Sequence, residues 1–174
     1  SGGGRVRLVF HAPTRGLIGY QSELLSDTRG TAVFNRVFHD YAPYRGDIPG
    51  RRNGVLISNA DGEAVAYALW NLEDRGPMLI DPGVKVYRGM IIGEHSRGND
   101  LEVNVLKGKQ LTNIRSAGKD EAVRLTTPIR QSLEASLAYI RDDELVEITP
   151  QSIRLRKALL DPNDRKRAER AGAA

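Results

Sequence analysis

The sequence predicts an α+β chain: a strand–helix–strand unit, then a mostly β region with one core helix and a basic C-terminal helix. Three observations predict it. Residues 5–41 pass from alternating to helical and back to alternating hydrophobicity. Residues 54–106 hold short apolar runs separated by Gly, Pro, Asn and Asp. Beyond residue 126, two proline-marked helix starts flank a pair of β-like runs.

Taken in order, residues 5–10 (Arg-Val-Arg-Leu-Val-Phe) alternate as a strand with one buried face, which Pro13 ends. Thr14 is a suitable helix N-cap, Leu17, Ile18, Leu24 and Leu25 recur at near-helical spacing, and Gly30 is a natural stop. Residues 31–41 form a second candidate strand through Val33, Val37 and Tyr41. Three elements of this size bury little core alone. The Pro-, Gly- and Arg-rich stretch 44–53 marks a boundary, giving domains 1–47 and 48–174.

Past the boundary, residues 54–58 and 63–70 are apolar runs joined by Asn59-Ala60-Asp61-Gly62, a hairpin-like turn. Residues 84–87, 90–93 and 101–106 are further short strands, and 122–125 is a candidate partner for the last of these. Thr127-Pro128 sets up a helix with a buried stripe of Ile129, Leu133, Leu137 and Ile140. Residues 145–148 and 152–157 read as strands. Asp161, Pro162 and Asp164 occupy N-cap, N1 and N3 of a basic helix over 165–171.

Composition narrows the function. With 40% hydrophobic and 28% charged residues the chain is globular rather than disordered. It has no cysteine, which excludes disulfide scaffolds, zinc–thiolate sites and cysteine nucleophiles. No apolar run approaches a membrane span and residues 1–4 hold no signal core, so a soluble, cytoplasmic chain with no membrane partner is expected. The net charge of +4 is modest but unevenly placed. Residues 106–119 carry Lys107, Lys109, Arg115 and Lys119 and no acid. The tail from Gln151 carries seven cations against three acids, whereas residues 141–150 set Arg141 against Asp142, Asp143, Glu144 and Glu147. Clustered cations point to a polyanionic partner.

Catalytic motifs are missing. Gly108-Lys109 and Gly118-Lys119 lack both the upstream Gly and the following Ser or Thr of a phosphate-binding loop. His11, His39 and His95 are far apart in sequence, without metal-type spacing, and read as structural or surface residues. No catalytic residue and no metal ligand is expected. Asp142-Asp143-Glu144 reads first as a solvated turn and second as an acid/base site. In the basic segment, four cations suit phosphates, while Gln110, Thr112, Asn113 and Ser116 suit sugar or base edges. A solvated loop is the other reading, and composition alone does not separate the two. Arg154, Arg156 and Lys157 are either the charges of a defended edge strand or further RNA contacts.

Several runs then coincide, in order: Arg15-Gly16-Leu17-Ile18-Gly19-Tyr20, Asn53-Gly54-Val55-Leu56-Ile57-Ser58, Glu94-His95-Ser96-Arg97-Gly98-Asn99-Asp100-Leu101, Leu111-Thr112-Asn113, Gly118-Lys119-Asp120-Glu121-Ala122, Asp142-Asp143-Glu144-Leu145-Val146-Glu147 and Thr149-Pro150-Gln151-Ser152-Ile153-Arg154. Over essentially the whole chain they resemble the C-terminal part of the BipA (TypA) family of ribosome-binding translational GTPases. The resemblance implies that residues 1–47 are the second half of a ferredoxin-like domain like domain V of elongation factor G. Residues 48–174 would be the family's C-terminal domain. That domain approaches the A-site tRNA acceptor arm and large-subunit rRNA through an extended loop, which here corresponds to the basic segment. Where the family often has two lysines before Leu-Thr-Asn, this chain has Lys109-Gln110. GTP and Mg²⁺ belong to domains outside this sequence, so the chain itself is expected to be neither an enzyme nor a cofactor carrier. Arg97 and Asn99 either support the loop base or touch RNA.

The leading expectation is a monomeric, ribosome-associated RNA-binding module. The alternatives are a protein-interaction module acting through the acidic turn and a carboxylate-dependent hydrolase.

Overall fold

The computed structural model describes residues 4, 6–46, 48, 50–108 and 124–172. Its contacts divide the chain into two compact units, residues 1–49 and 50–174.

In the first unit a 3-10 turn, Thr14–Leu17, precedes helix α1, Tyr20–Asp27. The helix starts later than Thr14, because Gly19, left-handed at φ 76°, takes the N-cap position. It ends close to the expected stop, but the left-handed residue that closes it is Arg29, at φ 51°: the Arg29 N–H donates to the Ser26 carbonyl at 3.2 Å and the Gly30 N–H to the Leu25 carbonyl at 2.7 Å. The two strands expected over 5–10 and 31–41 are not formed at the described residues. Alternation predicts a strand only where a neighbouring strand completes the ladder. Here Val6, Leu8, Val33, Val37 and Tyr41 are all exposed, so alternation leads to no buried face.

The second unit is built on a five-stranded sheet of order β5-β1-β4-β7-β6. The strands are β1 (Gly54–Ser58), β4 (Met90–His95), β5 (Leu101–Val103), β6 (Glu144–Ile148) and β7 (Ile153–Lys157). β1 runs parallel to β5 and antiparallel to β4, and the remaining pairs are antiparallel. A separate two-stranded ribbon pairs β2 (Gly62–Glu63) with β3 (Lys85–Val86). Every residue of β1 is buried because the sheet is covered on both faces. Leu56 joins Leu69, Met78, Ile80, Met90, Ile92, Val103 and Val105 on one side. Val55 and Ile57 point the other way, toward Ile91 and Leu155.

Three expectations change here. The run over 63–70 is not a strand paired with β1; after β2 it becomes helix α2, Ala66–Leu72, with Ala68 and Leu69 inward. A continuous apolar run does not distinguish strand from helix, and Ala and Leu favour the helix. Residues 124 and 125 form no strand with β5, whose partner is the distant β1; residues 122 and 123 lie outside the described residues. Helix α3 spans Leu133–Tyr139 rather than starting at Pro128. Ser132 supplies the cap, its hydroxyl accepting from the Ala135 N–H at 3.2 Å. Of the expected stripe, Leu133 and Ile140 are half-buried, while Ile129 and Leu137 are exposed. The β6–β7 pair and α4 (Pro162–Gly172) agree with the sequence signals; Asp161 accepts from the Asn163 N–H at 2.7 Å.

Candidate nucleic-acid interface

The basic segment leaves the core next to Val105, which is fully buried and whose carbonyl accepts from the Val65 N–H at 2.9 Å. The following residue, Leu106, gives its N–H to Asn104 Oδ1 at 2.8 Å and packs on the same core. Lys107 is the first residue beyond it and is exposed. The return side is held as firmly. Leu125 packs against the Leu56 cluster, the Thr126 N–H donates to Glu73 Oε1 at 2.6 Å, and the Ile129 N–H donates to the Met78 carbonyl at 2.9 Å. Both roots are thus fixed to one side of the sheet. Lys109, Gln110, Thr112, Asn113, Arg115, Ser116 and Lys119 lie outside the described residues.

Arg97 and Asn99 sit in the turn between β4 and β5, at the opposite end of β5 from Lys107. Arg97 is exposed, and its carbonyl accepts from the Gly54 N–H at 2.7 Å. Asn99 is exposed, but its carbonyl meets Nδ1 of His95 at 2.5 Å; His95 is 3% exposed, a structural histidine. A Cβ on Gly54 would land on that same Asn99 carbonyl, so the turn demands glycine there. In the first unit, the rings of His11 and His39 meet edge to face at 4.1 Å. Among the described residues no group of three or more His, Cys, Asp or Glu side chains has metal-binding geometry.

The three cations of β7 do not act alike. The pleat puts Arg154 and Arg156 on one face and Lys157 on the other, with Leu155. Arg154 remains partly open, 3.6 Å from Glu147, whose other oxygen accepts from the Tyr87 hydroxyl at 2.5 Å. Burial, and then that bond, push the Tyr87 hydroxyl up. Lys157 is 1% exposed, so the phosphate contact expected of it is replaced by an internal role. β7 also lies inside the sheet between β4 and β6, so its charges do not defend an edge.

Lys157 belongs to a charge network with no counterpart in the sequence reading. Its Nζ lies 2.5 Å from Asp100, 2.7 Å from Asp143 and 3.0 Å from Glu144. Arg51 grips Glu144 with two bonds of 2.7 and 3.1 Å and stacks 4.3 Å above the Tyr139 ring. Arg141 gives its backbone N–H to Glu144 at 3.0 Å and its guanidinium to the carbonyls of Arg51, Arg52 and Asn53. Burial alone favours neutral forms. It works to lower Lys157, but the carboxylates outweigh it and hold the ammonium above its ordinary value. Burial works to raise Asp100, and the bonds from Lys157 and the Val55 N–H override it, holding the carboxyl below its ordinary range. Arg51 is likewise raised, burial being outweighed by Glu144.

This arrangement corrects the reading of Asp142-Asp143-Glu144 as a solvated turn at Glu144 alone; Asp142 and Asp143 form an exposed turn, as expected. Glu144 is fully buried, while the Asp143 side chain, 61% exposed, meets Lys157 from the surface. A general acid must exchange its proton with a substrate, whereas the Glu144 oxygens are filled by Arg51, Lys157 and the Arg141 N–H. Two surface clefts, of 210 and 500 Å³, are lined by other residues: Glu73, Met78, Asp81 and Thr126 around the first, Asp61, Tyr87, Arg88 and Asp161 around the second. One signal was available: at period 2, Lys157 falls on the Leu155 face, where a buried ammonium requires carboxylate partners.

Comparison with known proteins bears on the same residues. Residues 53–162 match the family described as the TypA/BipA C-terminal domain, and residues 1–52 match the elongation factor G C-terminus. A Haemophilus influenzae protein named large ribosomal subunit assembly factor BipA is 55% identical over 170 residues, covering 97% of this chain and 28% of that protein. Proteins of the same name are 56% identical over 171 residues in Escherichia coli K12 (98% of this chain) and 51% over 169 in Bacillus subtilis 168 (97%). In these two cases also the chain spans 28% of the relative's length.

Proposed function

The chain belongs to the TypA/BipA C-terminal domain family, and we propose that it is the RNA-binding, ribosome-docking part of a translational GTPase. The observation that carries this reading is the acid-free basic segment 106–119, whose two roots are tied to the sheet core while Lys107 opens to solvent. A rigid base lets cations approach a polyanion without reordering the domain, and phosphate neutralisation then supplies salt-dependent affinity. The relatives' name, a large ribosomal subunit assembly factor, supports rRNA of that subunit as the polyanion. The reading places Lys107, Lys109, Arg115 and Lys119 on phosphates, and Gln110, Thr112, Asn113 and Ser116 on sugar or base edges. Arg154 and Arg156 form a second, weaker contact, and Arg97 an exposed one near Asn99.

More finely, the segment reaches the acceptor arm of an A-site tRNA, and the partner is met in the cytoplasm by a monomer. Residues 1–47 act as the second half of a domain V-like unit. GTP and Mg²⁺ are assigned to domains outside this chain, which has no Gly-x-x-x-x-Gly-Lys-Ser/Thr sequence to hold a nucleotide. Replacing Lys107, Lys109, Arg115 and Lys119 together with Ala is expected to release the chain from ribosomes in a pelleting assay while its unfolding transition stays in place. Crosslinks from these lysines to tRNA on A-site-filled ribosomes test the finer placement. Undiminished pelleting of the Ala variant contradicts the reading.

A further inference from the structure

Helix α4 presents a row of hydrogen-bond donors that neither the fold nor the basic segment uses. Asn163, Lys166, Arg167 and Arg170 stand at i, i+3, i+4 and i+7, within about 100° of arc on one face. All four are exposed. The acids of the helix, Asp164 and Glu169, fall to either side of the row. Arg167 does lie 3.5 Å from Asp164, but both are open to water, so the pair is weak. Lys166 and Arg170 make no ion pair among the described residues.

The opposite face explains why the row points outward. Arg165 turns back to the sheet, giving hydrogen bonds to the carbonyls of Leu159 at 2.6 Å and Leu160 at 2.8 Å and pairing with Glu102 of β5. Its side chain is 12% exposed, against 78% for Arg167. Arg88 holds the helix entry through Asp161 at 3.5 Å. The helix buries no residue of its own, so no apolar packing accounts for its place. It is an anchored cationic bar about 16 Å long.

We propose that the Asn163, Lys166, Arg167 and Arg170 face of α4 docks on the phosphate backbone of double-stranded RNA. The chemistry selects this occupant. A membrane-surface helix needs an apolar face, and the largest apolar side chains on α4 besides Pro162 are alanines. Single strands are held by stacking on aromatics, and α4 has none. Protein interfaces centre on aromatic and apolar anchors, also missing here. A-form duplexes, by contrast, are recognised through phosphates and shape, and cations one turn apart stand about 6 Å from each other, similar to successive phosphates on a strand. Asn163 adds a donor and acceptor suited to a 2′-hydroxyl. The inference rests on the ribosome-docking reading for its partner class and extends that reading to residues outside 106–119.

The test compares the full chain with K166A/R167A/R170A, with K166R/R170K and with the four-alanine variant of the basic segment. The probes are a mixed-sequence RNA duplex of about two turns, polyglutamate and phosphatidylserine vesicles. Alanine favours the helix, so α4 should persist by circular dichroism. The expected result is about a tenfold loss of duplex affinity for K166A/R167A/R170A, a log–log salt slope shallower by about 2, and near-parental binding by K166R/R170K. Parental duplex affinity and slope in the α4 triple variant would overturn the inference, as would a loss confined to polyglutamate or vesicles. If the basic-segment variant leaves the ribosome while the α4 variant binds duplex normally, only the α4 inference falls. If the basic-segment variant stays on the ribosome, the docking reading falls and the duplex arm still decides α4.

Discussion

Lys157 and Lys107 carry the same ammonium group and open to opposite media. Lys157, 1% exposed, is held by Asp100, Asp143 and Glu144. Lys107 stands exposed where the chain leaves Val105. The same contrast separates Arg51 and Arg141 from Lys166, Arg167 and Arg170. Buried cations answer internal carboxylates and fix how the segment around Arg51 seats on β6 and β7. Open cations, lacking deep partners, remain for an external polyanion. Charge content alone therefore does not locate the RNA-facing surface; burial sorts the cations that hold the fold from those left for a partner.

The sharpest way to break this contrast is to remove one partner from the buried set. Glu144→Gln leaves Arg51 and Lys157 facing each other without their shared carboxylate. We expect a loss of about 4 kcal/mol in urea unfolding, and a loss under about 1 kcal/mol would show that the network is not structural. Gly54→Ala is next: its methyl would strike the Asn99 carbonyl, and backbone cannot yield as a side-chain tip does. A destabilisation of about 2–3 kcal/mol, read from the same transition, would verify the tight turn that places Asp100 and Arg97.

The smallest effect is on pH dependence. The Asp100 pKa is lowered by folding, so its stabilisation is present above the unfolded carboxylate value and lost as pH falls through the folded one. The Lys157 pKa is raised, so its stabilisation is present below the unfolded lysine value and lost as pH rises through the folded one. Asp100→Asn should flatten the acid limb of the stability profile and leave the alkaline limb in place. An unchanged acid limb would remove Asp100 from the network.

Local signals explain what was legible in the sequence. The β6–β7 pair and α4 were readable because alternation and an Asp-Pro start act within a few residues. β1 was readable because Val55-Leu56-Ile57 is an unbroken β-branched and apolar run. The Ser132 start of α3 was missed because Thr127-Pro128 offered a competing signal. α2 was missed because its apolar run has no period. The β1–β5 pairing joins strands some 45 residues apart, and no local pattern encodes such a contact. Residues 5–10 and 31–41 show the reverse case, a strand pattern that finds no ladder among the described residues. For the site, the acid-free cluster from Lys107 was visible in composition. The bond of Lys157 to Asp100, 57 positions away, was not.

The most direct test of the account is the salt dependence of binding to the large ribosomal subunit. Log affinity would be measured against log salt for the parent chain and for the variant with Ala at 107, 109, 115 and 119. The account predicts a slope shallower by about 3 in the variant, as expected when up to four cations no longer release counterions from RNA. Parallel lines of equal height would contradict it.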